Sequence, residues 1–122
     1  MILVDTSIWI DHLRARDEQL VNLLTGGTVL SHPFVIGEIA LGGLRNPARV
    51  LKELQRLPVA SVATDQEVLR LIRDRALGGR GIGYVDAHLL AAVRLSAGAT
   101  LWTRDKRLLN VARELSLALA SL

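Results

Sequence analysis

Short aliphatic runs alternate along this chain with longer stretches in which apolar residues recur every three or four positions. Ile2-Leu3-Val4 is the first short run, and polar residues follow it at once. Ile8, Trp9, Ile10 and Leu13 then share one helical face, with Thr6 or Ser7 as the cap. A second helix spans Glu18 to Leu24 and stops at Gly26-Gly27, before a strand at Thr28-Val29-Leu30. Ser31 or His32 caps the next helix, whose first turn takes Pro33 because no N–H is needed there. Gly42-Gly43 ends it. Pro47 opens another helix through about Leu57, and Pro58 stops that one.

Val59-Ala60-Ser61-Val62 predicts a third strand, and Thr64 or Asp65 caps a helix with Val68, Leu69, Leu71 and Ile72 on one face. The glycine-rich segment 78–83 is a loop. A helix over 85–96, a strand over 99–102, a helix over about 106–114 and a short strand near 117–119 complete the chain. Strands alternating with helices predict an α/β fold, a parallel sheet of four to five strands flanked by helices. No repeat, low-complexity tract or long linker divides the sequence, so residues 1–122 are expected to form one domain.

Composition narrows the class. Half of the 122 residues are hydrophobic but only 3% are aromatic, which is aliphatic α/β chemistry and excludes disorder. No apolar run approaches the roughly 20 residues that span a bilayer, and the N-terminus lacks the pattern of a signal peptide. With no Cys, disulfides and thiolate metal sites are excluded, and a reducing cytoplasm is the expected location. Fifteen basic residues face twelve acidic ones, for a net charge of +3. All the basic residues but Lys52 and Lys106 are Arg, a bias compatible with a polyanionic partner and equally with a solvated helical surface.

Four carboxylates stand out against this apolar background. Asp5 closes the first strand, and Asp105 follows the strand at 99–102. Ligands of open α/β sheets bind outside the carboxyl ends of the strands. Asp86 falls in the first turn of a helix, where the dipole favours an anion. Glu38 lies mid-helix among Phe34, Val35 and Leu41, so its face is expected to point inward. Acidic residues are seldom buried unless paired or metal-bound, and hard oxygen donors suit Mg²⁺ or Mn²⁺.

Val4-Asp5-Thr6-Ser7, the segment His32–Leu41 with Glu38, Asp86-Ala87, and Thr103-Arg104-Asp105-Lys106 together resemble the PIN-domain nucleases, most closely the VapC-type toxins. The likeness runs from residue 2 to beyond residue 109. It implies a PIN-like fold and an endoribonuclease that uses Mg²⁺ or Mn²⁺ to cut structured RNA such as tRNA or rRNA. It further implies a VapB-type antitoxin as partner and a homodimer. On this reading Asp5, Asp86 and Asp105 hold metal, and Glu38 completes the catalytic set by orienting or deprotonating water. Ser7 and Thr103 orient these ligands from behind, while Arg104 and Lys106, which flank Asp105, contact RNA phosphates.

Other readings fit less well. A receiver domain needs an acceptor Asp ending its third strand, where this chain has Val62. An aspartyl-nucleophile phosphatase wants a second Asp two positions after Asp5, where this chain has Ser7. A PIN-fold binding module without catalysis is the remaining alternative. His12, His32 and His88 share no ligand spacing. His32 is expected as a cap or core contact, His12 and His88 as surface or supporting groups. Trp9 and Trp102 are expected to pack rather than to stack bases.

Overall fold

Residue 3 sits at the centre of a small parallel sheet. In the computed structural model, which describes residues 1–120, strand β1 (Ile2–Val4) lies between β2 (Val29–Leu30) and β3 (Thr100–Trp102). Leu3 pairs with Leu30 on one side and Leu101 on the other, and Val4 faces Trp102. Leu3, Val4, Val29 and Leu101 are fully buried, as expected of parallel strands covered on both faces. Seven helices connect and cover them: α1 (Thr6–Arg14), α2 (Glu18–Thr25), α3 (Pro33–Ala40), α4 (Pro47–Gln55), α5 (Asp65–Asp74), α6 (Tyr84–Leu95) and α7 (Lys106–Glu114).

Among the described residues the sheet has three strands, not the four to five expected. Segments 59–62 and 117–119 occupy the two edges in the anticipated places, but each is reduced to one bridge, Ser31 with Val59 and Leu101 with Ala118. At the first edge the ladder consists of Ser31 N–H to the Pro58 carbonyl and Ala60 N–H to the Ser31 carbonyl. Val59 and Val62 are about half exposed, so the apolar residues that predicted a strand have no second layer to pack on. At the other edge Ser116 adopts a left-handed φ of 59°, and the chain turns sharply just before it meets Leu101.

From β1 the chain moves outward through β2 to the 58–60 edge, then returns across β1 to β3. Strand order therefore reverses at β1, and the crevice outside the carboxyl ends of β1 and β3 is the topological switch point. Right-handed crossovers in opposite directions put the helices on opposite faces. The contacts follow this division, α1 packing on α3 and α3 on α4, whereas α5 packs on α6 and α6 on β3.

Helix α6 is the central one, buried continuously from Ala87 to Val93. Its alanines let neighbouring backbones approach closely, and a helix apolar all round belongs inside. On α5, Val68 and Leu71 are buried, but Leu69 is 57% exposed. The expected four-residue apolar face is wider than the strip α6 can cover, and Leu69 lies beyond its edge. Helix α1 is capped not by Thr6 or Ser7 but by Asp5, one position earlier.

Candidate functional site

Asp5 is held by two hydroxyls that also tie two strand ends together. Its Oδ1 accepts from the Ser7 backbone N–H (3.0 Å) and from Ser7 Oγ, and its Oδ2 accepts from Thr103 Oγ1. Ser7 Oγ in turn accepts the Arg104 N–H, and Thr103 Oγ1 accepts the Asp105 N–H, each at 3.1 Å. Both hydroxyls donate to Asp5 and accept from the segment after β3, so the ends of β1 and β3 are stapled side by side. Asp5 is 5% exposed. Burial pushes its carboxyl pKa up, and the opposing hydrogen bonds from Ser7 and Thr103 do not offset that cost.

Asp105 caps α7, its Oδ1 accepting from the backbone N–H groups of Arg107 (3.0 Å) and Leu108 (3.1 Å). Asp86 sits in the first turn of α6 and accepts the Gly83 N–H at 3.2 Å through Oδ2. It is half-buried, and its pKa is raised first by desolvation and then by the negative charges of Asp105, Asp5 and Glu38. That mutual repulsion places the four carboxylates in one field. Glu38 enters from α3, with Oε1 accepting from Thr6 Oγ1 at 2.6 Å. Contrary to expectation, its face does not point inward: Glu38 is exposed, as are Phe34 and Leu41, while Val35 and Ile39 form the buried side. Thr6, read in the sequence only as a cap, is what ties Glu38 to the start of α1, next to Asp5.

All three aspartates lie at helix N-termini, where aligned N–H dipoles offset part of the repulsion. Asp105, Asp86 and Glu38 each use one oxygen for these local bonds, and among the described residues the other has no protein donor. The donor set is all carboxylate oxygen, the chemistry a hard divalent ion prefers. Among the described residues, however, no three Asp, Glu, His or Cys side chains stand as a ready-made ligand set. The residues fit such an ion in chemistry and charge, as separately anchored carboxylates around an open crevice rather than as a closed cage.

The basic residues divide sharply. Arg104, expected on phosphate, donates through Nη1 to Asp11 (2.8 Å) and through Nη2 to Asp17 (2.5 Å), with its guanidinium over the Trp102 ring. This pairing holds the Asp17 carboxyl below its usual range. Arg104 is thus committed to anchoring α1 and the start of α2, and Asp11 and Asp17 are partners no local pattern announced. Arg80 forms a two-pronged pair with Glu114. Lys106 is exposed and makes no ion pair among the described residues.

His32 caps α3 as expected. His88 is not at the surface but 2% exposed, bonded through Nε2 to Asp65 at 3.1 Å. Trp9 packs in the core and Trp102 is half-buried against it.

The sequence comparisons agree with this architecture. The family model described as PIN domain matches residues 2–114. Ribonuclease VapC32 of Mycobacterium tuberculosis (strain CDC 1551 / Oshkosh) is 53% identical over 120 residues, covering 98% of this chain and 97% of that protein. Ribonuclease VapC32 of strain ATCC 25618 / H37Rv gives the same identity and coverage.

Proposed function

Because this chain belongs to the PIN-domain family and is of the VapC type, we propose that it is a metal-dependent endoribonuclease, the toxin of a toxin–antitoxin pair, hydrolysing phosphodiester bonds in structured RNA such as tRNA or rRNA. What supports this reading is that Thr103 ties Asp5 to the Asp105 backbone where strand order reverses, and that Asp86 feels the charges of Asp105, Asp5 and Glu38. The similarity to Ribonuclease VapC32 over nearly the whole chain supports the ribonuclease activity.

Asp5, Asp86 and Asp105 would hold Mg²⁺ or Mn²⁺. Such an ion supplies a water of lowered pKa and neutralises charge on the leaving oxygen. Glu38, exposed and held by Thr6, would accept a proton from or orient the attacking water. Ser7 and Thr103 fix the Asp5 carboxylate, so its position is set before any ligand arrives. Lys106, without an ion pair among the described residues, is the flanking residue suited to an RNA phosphate, whereas Arg104 is held by Asp11 and Asp17.

The whole chain acts as one domain in the cytoplasm on this proposal, with a VapB-type antitoxin and a second copy of itself as partners. No helix among the described residues is long and apolar enough to cross a membrane. Exposed Leu41, Val59, Val62 and Leu69 supply apolar surface for protein partners.

Incubating the protein with total cellular RNA and Mn²⁺, then mapping new 5′ ends, tests the activity. Asp86→Asn keeps an acceptor for the Gly83 N–H and should fold, yet lose more than about 100-fold in cleavage rate, and Glu38→Gln should behave likewise. Undiminished cutting by both variants refutes the assignment. A second reading, a PIN-fold binding module without catalysis, draws on the lack of a preset ligand set among the described residues. RNA binding without cleavage at any divalent ion would establish it.

A further inference from the structure

Arg107 is the remaining guanidinium near the crevice, and its surroundings differ from those of the other two. Arg104 and Arg80 are each paired with carboxylates. Arg107 is exposed and has no acidic partner among the described residues. It occupies the first turn of α7, its own N–H bonded to Asp105 Oδ1. Its side chain crosses to the glycine-rich loop that leads into Asp86. A Cβ placed on Gly81 would stand 2.7 Å from Arg107 Cδ, 2.8 Å from Nη1 and 3.2 Å from Cζ. Gly81 also has a φ of 81°, a backbone that favours glycine and leaves its surface bare for the arginine. The loop is fastened to the same helix by the Arg80–Glu114 pair.

We propose that Arg107, seated on the bare backbone of Gly81 between Asp105 and the loop entering Asp86, binds a substrate phosphate and sets RNA affinity. The proposal rests on the nuclease reading for its substrate class and adds the residue that holds it. A planar fork with five donors suits a phosphate, and a side chain already laid on a surface loses little freedom when it binds. The positive head also stands at the rim of an acidic crevice that would otherwise repel a polyanion. Lys106 has the charge without the seat.

The test measures binding of fluorescently labelled bulk tRNA by anisotropy between about 50 and 200 mM salt, with cleavage in Mn²⁺ followed in parallel. Arg107→Ala should weaken binding by about tenfold and flatten the slope of log affinity against log salt by about 0.7 to 0.9, one phosphate contact. The Mn²⁺ concentration giving half-maximal cleavage should not move. Arg107→Lys should keep the slope and lose part of the affinity.

Equal tRNA affinity and salt slope in wild type and Arg107→Ala overturns the inference. A raised Mn²⁺ requirement with unchanged RNA affinity also overturns it, assigning Arg107 to the carboxylates instead. If wild type binds tRNA through Arg107 but cleaves nothing, the phosphate site stands and the nuclease reading falls.

Discussion

His32 closes the start of α3 from inside the core, and that position couples folding to pH. It is fully buried, and its Nδ1 accepts the Phe34 N–H at 3.0 Å, a bond that requires the ring to be neutral at that atom. Burial, followed by the nearby charge of His88, lowers its pKa from 6.5 to about 4. The unfolded chain therefore takes up a proton at higher pH than the folded one. Stability from this group is complete above pH 6.5 and is lost as pH falls towards 4. A shift of that size corresponds to at most about 3 kcal/mol. Asp5 has the opposite sign: its raised pKa adds stability below 3.8 that is lost as pH rises through the folded value. Denaturant melts from pH 7 to 4 should show a fall in the midpoint that His32→Asn, itself a competent cap, largely removes. Parallel profiles for the two proteins would clear His32 of the effect.

At the scale of elements, helix ends were legible because their signals are local. Pro33 after His32, Pro47, and the cap at Thr64 each act within one turn, and all open helices where expected. The Thr64–Glu67 capping box is complete, with both reciprocal bonds formed. Thr64→Ala should cost about 1 kcal/mol in chemical denaturation, while Leu69→Ser, on the uncovered side of α5, should stay within about 0.5 kcal/mol. The reverse ranking would mean that a partner covers Leu69 in solution. Edge strands were not legible in the same way. Val59 to Val62 has strand composition, but a ladder needs a neighbour in register, and here only Ser31 supplies one.

For the whole molecule, burying Asp5 and half-burying Asp86 leaves two carboxyls under electrostatic stress. The pKa values of Asp5 and Asp86 are both pushed up, by burial first and, for Asp86, by its three acidic neighbours. An ion that binds only the folded protein relieves this and stabilises it, by about 2.7 kcal/mol at a hundred times its Kd. Mn²⁺ should therefore raise the melting temperature at pH 7 and have much less effect at pH 4, where protons compete for the ligands. Asp86→Asn should abolish the shift, and chelation should reverse it in wild type. An unchanged Tm across a Mn²⁺ titration of the wild-type protein would remove the metal from the proposal.

The sequence by itself determined the alternation of strands and helices, where the helices begin to within a residue or two, and which acidic side chains stand at strand ends and helix starts. Those properties depend on periods and steric preferences a few residues long. Only the tertiary structure decided that Glu38 is exposed and held by Thr6 instead of facing the core, that His88 is buried, and that the sheet has three strands among the described residues. It likewise committed Arg104 to Asp11 and Asp17 and left Arg107 lying free on Gly81. Such outcomes turn on which groups meet across tens of residues. A guanidinium is equally suited to a carboxylate and to a phosphate, and the fold, by what it places within reach, makes the choice.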